Sequence, residues 1–194
     1  MMKKYRPWKQ QIALQNQDIP SPEEILDMIE KVPYLKWKAL FSLVYLTAAR
    51  INEVIQVTTP EDFRIIERDG RKILLITLYN EKHKKRKIKK IPIVPVNIVE
   101  RKLANYVIEY TNLFSDVKDV MWNISHQRAW KIFKKYLKMN PHFLRHIRLT
   151  HLVTEYNFNE HELKMYAGWT DTRPSSRYVE MRWTDILNKF SQKK

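Results

Sequence analysis

The sequence predicts an α+β domain, mainly helical, with one small antiparallel three-stranded sheet. Three observations lead there. Helical punctuation stands near both ends of the chain, at Ser21-Pro22-Glu23-Glu24 and at Asn140-Pro141. Between them the pattern changes from helical spacing to β-rich runs at Phe63 to Ile66, Ile73 to Leu78 and Ile88 to Val94, the first two separated by Asp69-Gly70, a hairpin signal. Finally, 194 residues with 44% hydrophobic content suffice for one sizeable core but not for two full domains.

The elements follow in order. Residues 1–20 lack periodicity and read as an arm or linker, with the main domain over 21–194. Ser21 to Glu24 forms a capping box with Pro at the first helical position, and Ile25, Leu26, Met28 and Ile29 supply an apolar face. Tyr34 to Leu46 carries Leu35, Ala39, Leu43 and Leu46 at helical spacing and reads as a central core helix, with Arg50 just beyond it. A short helix is expected over Asn52 to Val57, followed by the three strands. From Asn97 the helical pattern returns, over Ile98 to Tyr110 and again over Ala129 to Leu137, where Trp130, Phe133 and Tyr136 read as core. Asn140 caps a helix running through His142, Arg145 and Leu152. A helix around Glu160 to Tyr166, a turn at Gly168, a polar loop through Pro174 and an amphipathic tail complete the chain.

Charge narrows the function. Formal net charge is +15, from 36 Lys and Arg against 21 Asp and Glu, so a polyanion is the expected partner. With 12% aromatic residues and only 2 Gly, this is not the composition of a disordered basic tail, and the charge is expected on a folded surface. The densest cluster, Lys82 to Lys90, holds seven Lys or Arg in nine residues between the second and third strands. No cysteine is present, which excludes disulfides, thiol catalysis and cysteine-ligated zinc. The six histidines form no HExxH or similar motif, so no cofactor and no metal is expected. No apolar run reaches the ~18 residues of a membrane span, and a soluble protein of the cytoplasm, whether nucleoid-associated or in a host cell, is expected.

Individually the candidate site residues are ordinary. Arg50 with Glu53 reads as an ion pair, and Tyr178 is one of ten tyrosines. His142 and Arg145 share a face near a helix N-terminus, where backbone N–H groups favour an anion. Their order along the chain is less ordinary. Thr47-Ala48-Ala49-Arg50-Ile51-Asn52-Glu53 resembles the T-G-x-R-x-x-E box of tyrosine recombinases and phage integrases, and His142-Phe143-Leu144-Arg145-His146 resembles their H-x-L-R-H box. Gly168-Trp169 with Tyr178 nine residues later resembles the closing element and its nucleophile. The resemblance spans roughly Pro20 to Ser191 and implies the tyrosine recombinase catalytic-domain fold. Two departures stand out: Ala48 replaces the usual Gly, and Trp169 stands where many members have His, so it can donate through its indole N–H but cannot act as acid or base.

The resemblance implies a site-specific recombinase or integrase. Tyr178 would attack a scissile DNA phosphate, expel the 5′-hydroxyl and form a 3′-phosphotyrosyl bond that later religates without ATP or metal. Arg50 and Arg145 would bind the non-bridging oxygens, whose charge grows in the transition state. His142 would hydrogen-bond the phosphate or assist deprotonation of Tyr178, and Trp169 would hold a phosphate oxygen. Glu53 would orient Arg50 or His146, while His146 and His151 read as structural. The 5′-oxygen needs a proton, supplied in the family by a hairpin lysine; Lys84 fits the usual interval before Ile91-Pro92-Ile93, and Lys82 fits a slightly longer loop.

Double-stranded DNA is the implied partner, and a homo-oligomer, a tetramer on DNA, is implied as well, with Trp183, Ile186, Leu187 and Phe190 of the tail 179–194 as contacts between copies. The family carries an N-terminal core-binding domain, whereas about twenty residues precede the first helix here, which fits either a fragment or a minimal recombinase of a virus or mobile element. Two further readings compete: a type IB topoisomerase-like enzyme that relaxes DNA as a monomer, and a non-catalytic DNA-binding module of the same fold.

Overall fold

The computed structural model describes residues 19–80, 87–175 and Tyr178. Their element order is helix α1 (Pro22–Glu30), helix α2 (Leu35–Thr47), 3-10 turns at Ile51–Glu53 and Pro60–Asp62, strands β1 (Phe63–Arg68), β2 (Arg71–Asn80) and β3 (Lys87–Ile93), then helices α3 (Ile98–Thr111), α4 (His126–Leu137), α5 (Pro141–Thr154) and α6 (Glu160–Ala167).

Local chemistry sets the boundaries. In α1 the Ser21 hydroxyl accepts from the Glu24 amide while the Glu24 carboxylate accepts from the Ser21 amide, so the expected capping box is formed on both sides. The β1–β2 hairpin closes on the two-residue loop Asp69-Gly70 between the paired Arg68 and Arg71. Both loop residues have positive φ, at 52° and 70°, as a turn matched to the right-handed twist of its strands requires. The sheet is antiparallel with order β1-β2-β3. Strand β2 is its centre, and Leu74, Ile76 and Leu78 on one face are buried while β1 is largely exposed.

Helix α2 is buried on all sides from Ala39 to Thr47, which explains why its sequence shows little amphipathic contrast. It packs on α3 and α5. Phe41 meets the edge of Phe133 from α4, with ring centroids 4.7 Å apart, and Tyr45 bonds His151 of α5 at 2.8 Å. Trp122 fills the far side and donates from its indole to the Lys36 carbonyl. A buried ion pair, Arg148 to Glu100 at 2.6 Å, ties α5 to α3.

Three sequence expectations change in detail. The expected helix over Asn52 to Val57 is a single 3-10 turn: the Glu53 carboxylate reaches back to cap the Arg50 amide, and Gln56 sits at φ 65°, where a helix cannot continue. The Ala129 helix starts earlier, at His126, with the Ser125 hydroxyl accepting from the Arg128 amide. Trp130 is not core. Phe133 is fully buried on that helix, but Trp130 faces the pocket described below.

Candidate active site

Ala48 ends α2 in the left-handed conformation, φ 46° and ψ 36°. That turn swings the chain so that Arg50 emerges beside the N-terminus of α5. Glu53, 1% exposed, fixes Arg50 twice, accepting from its guanidinium and from its backbone amide, each at 2.9 Å. Of the two roles expected for Glu53, these bonds show the orienting of Arg50. Asn140 caps α5 by accepting from the Phe143 amide at 2.8 Å, and Pro141 begins the helix. His142 and Arg145 then face the same pocket as Arg50.

That pocket, about 310 Å³, is lined by Ala49, Arg50, Glu53, His126, Trp130, His142 and Arg145, among others. It holds two guanidiniums and one carboxylate, beside the positive end of a helix. Burial, and then the like charge of Arg50, push the Arg145 guanidinium down to about 10. Desolvation by the pocket walls, then Arg145 and Arg50, likewise lower the pKa of His142. A phosphate would relieve both repulsions. Such a site is built for an anion.

Arg145 is itself held from behind. One terminal nitrogen donates to the Ala48 carbonyl and the other to the Ala167 carbonyl at 3.1 Å, and the guanidinium lies 5.8 Å from the centre of the Trp169 ring. An arginine carries five N–H donors. Two are committed to carbonyls, so the guanidinium is fixed in place at the pocket wall.

Tyr178 comes close to Arg145 by way of Trp169. Gly168 ends α6 at φ 69°, a left-handed position that suits glycine, and sends Trp169 back over the site. The Ser175 hydroxyl donates to the Glu160 carbonyl at the start of α6, and the Tyr178 amide donates to the Ser175 carbonyl at 2.9 Å. The Tyr178 ring stacks on Trp169, 5.9 Å between centroids at 23°, and its hydroxyl lies 2.9 Å from His146 Nδ1. Thus Arg50, His142 and Arg145 line one pocket, while Trp169 lies against Arg145 and Tyr178 stacks on Trp169.

Sequence reasoning, which read His146 as structural and Trp130 as core, did not place His146 beside Tyr178 or His126 and Trp130 at the pocket. The indole of Trp130 donates to His126 Nε2 at 3.1 Å, one helical turn earlier, and both line the pocket. Lys82 and Lys84 lie outside the described residues, as do the arm over 1–18 and the tail contacts Trp183, Ile186, Leu187 and Phe190. Among the described residues no group of three or more His, Cys, Asp or Glu is placed to hold a metal, and no helix is long and apolar enough to cross a membrane.

A family model described as the phage integrase family matches residues 20–183. The chain belongs to the phage integrase family. Solved structures agree on the fold, that of the tyrosine recombinase catalytic domain. The XerH site-specific recombinase bound to its difH substrate in a pre-cleavage complex superposes with a TM-score of 0.65 at 16% identity, over 89% of this chain and 52% of that one. The XerA recombinase gives 0.60 at 15%, over 89% and 62%, and an FLP recombinase–Holliday junction complex gives 0.54 at 14%, over 84% and 47%. The phage integrase chain therefore spans roughly half to three-fifths of these relatives. No curated protein sequence matches it.

Proposed function

We propose that this chain is the catalytic part of a site-specific tyrosine recombinase, which breaks and rejoins DNA through a 3′-phosphotyrosyl intermediate on Tyr178. One observation carries the reading: Arg145 belongs at once to the anion pocket, with Arg50 and His142, and to the packing around Tyr178. A phosphate held by the paired guanidiniums would thus have a phenol nearby, and in-line attack on a phosphodiester requires both.

In this reading Arg50 and Arg145 bind the non-bridging oxygens, His142 hydrogen-bonds the phosphate, and Trp169 holds Tyr178 and Arg145 in register. Lys84, or else Lys82, protonates the departing 5′-oxygen, and the other lysines of that run contact phosphates without reading sequence. DNA as substrate is supported by the net charge of +15 and by neighbours solved on a difH substrate and on a Holliday junction. Assembly as a tetramer on DNA, in the cytoplasm where that DNA lies, completes the proposal.

The test uses a pool of nicked duplexes with randomised sequence around the nick, incubated with protein in EDTA and run on a denaturing gel. A covalent adduct formed by the wild type and absent from Tyr178→Phe supports the reading and also recovers the target sequence. No adduct, or one that persists in Tyr178→Phe, refutes it.

A further inference from the structure

The sequence divides the two histidines of the His142-to-His146 box into one functional residue and one structural one, but the geometry divides them differently. His142 lines the anion pocket with both arginines. His146, one helical turn further along α5, presents Nδ1 to the Tyr178 hydroxyl at 2.9 Å, with ring centroids 5.0 Å apart. Its ring is held by Phe143, stacked at 27° with centroids 6.2 Å apart. Trp169 stacks on the Tyr178 ring. The phenol therefore packs against both an indole and an imidazole, and its hydroxyl meets the imidazole Nδ1.

We infer that His146 is a catalytic residue, the base that takes the phenolic proton of Tyr178 as it attacks, leaving His142 to serve the phosphate. This rests on the tyrosine recombinase reading above. In the step, the Tyr178 oxygen forms a bond to phosphorus, its proton passes to His146 Nδ1, and the bond from phosphorus to the 5′-oxygen breaks, that oxygen leaving with a proton from the general acid the proposed reaction already requires. Religation runs in reverse, the imidazolium returning its proton to the phenolate as the phosphotyrosyl bond breaks. The arrangement needs the tautomer with hydrogen on Nε2, so that Nδ1 accepts. Burial, and then the neighbouring His142, lower the pKa of His146, which favours the neutral ring that a base must start from.

Removing a positioned base slows a reaction by roughly 100- to 10,000-fold. The experiment measures single-turnover adduct formation on the duplex recovered by covalent capture, for wild type, His146→Ala and His146→Gln, with thermal unfolding and a mobility shift on each protein. Glutamine can hydrogen-bond the phenol but cannot take its proton, and alanine leaves room for added imidazole. The expected result is that both variants bind the duplex like wild type and form adduct at least about 100-fold more slowly, and that imidazole accelerates His146→Ala but not His146→Gln. Cleavage by either variant within a few-fold of wild type, or failure of imidazole to accelerate His146→Ala, overturns the assignment. If wild type itself forms no adduct, the tyrosine recombinase reading fails; if wild type cleaves and the His146 variants match it, only the role of His146 falls.

Discussion

The carbonyl oxygen of Ala48, the residue that turns α2 into the left-handed conformation, accepts a hydrogen bond from the guanidinium of Arg145, ninety-seven positions away. The backbone conformation of one residue thus sets the position of the other's charge. The family's usual Gly at this place is explained by the positive φ. Ala is tolerated because its Cβ is fully buried in the small cluster with Leu149, Leu152, Leu163 and Ala167. A left-handed alanine costs about 1–2 kcal/mol. Burying its methyl and stiffening the unfolded chain return about the same.

Ala48→Gly is accordingly expected to change stability by less than about 1 kcal/mol, because these effects oppose each other. Ala48→Val is expected to lose about 2 kcal/mol or more, since a β-branched residue is poorly suited to positive φ and the larger side chain would enter a fully buried cluster. Its carbonyl would shift, and cleavage would fall by more than the unfolded fraction explains. Denaturant titration beside adduct formation separates the two.

Arg145→Ala removes the donor to two carbonyls and, under the proposed function, a phosphate ligand as well. Stability is expected to fall by about 2 kcal/mol or more, from two buried carbonyls left unsatisfied, and cleavage by at least about 100-fold. Duplex affinity should fall only a few-fold, one phosphate contact being lost among many. Complete loss of the mobility shift by a folded variant would contradict this.

Much of this architecture could be read along the chain, because its signals are local. Ser21 to Glu24, Asp69-Gly70 and Asn140-Pro141 each act within four residues, and each forms what its spacing predicts. The residues that meet in the pocket were legible only as ordered boxes, since nothing local in Arg50 or Arg145 reveals that they share one pocket. Trp130 was misread for a geometric reason. Trp130 and Tyr136 flank Phe133 three residues to either side, which on a helix places them about 120° apart. Phe133 therefore points into the core, Tyr136 lies beside Phe41, and Trp130 turns toward the pocket. The bond between His146 and Tyr178 was not legible either, because it depends on α6 and its closing turn carrying the tyrosine back to α5.

The pair Arg148–Glu100 gives a test of the scaffold alone. Both side chains are about 5% exposed, and Tyr45 and Tyr156 each lie about 5 Å from the Arg148 guanidinium. Glu100→Ala would leave a buried charge without its counter-ion, and a loss of about 3–5 kcal/mol is expected. Replacing both residues by apolar ones of similar volume should recover most of it. Thermal unfolding of the single and double variants checks both statements.

Stability should also fall as pH drops from 7 toward 5. Burial holds His146 and His151 below the ordinary value of 6.5, with His142 the second cause for the former and Arg148 for the latter. The unfolded chain therefore binds more protons than the folded one just below pH 6.5, and the slope of stability against pH is positive there. The stabilisation is fully present above 6.5 and is lost as pH falls toward the folded-state values. The carboxylates with lowered pKa, Glu30 and Asp171, act only in more acid solution; Asp62, raised by burial from 3.8, works in the opposite sense. His151→Gln, which can still accept from Tyr45, is expected to unfold at nearly the wild-type temperature at pH 7.5 but to show a shallower decline toward pH 5.5. An identical slope would show that His151 titrates normally.

The proton for the leaving oxygen can be assigned by changing the atom that leaves. An alkoxide departs poorly without protonation, whereas a thiolate at the same bridging position departs as the anion. Lys84→Ala is expected to reduce cleavage of the ordinary duplex by about 100-fold or more, and to cleave a duplex with 5′-bridging sulfur at nearly the wild-type rate. Arg145→Ala should stay slow on both, because the charge on the non-bridging oxygens is unchanged by the substitution. If Lys84→Ala is not rescued but Lys82→Ala is, the acid is Lys82 and the loop takes the longer interval before Ile91. If neither is rescued, the proton comes from another donor.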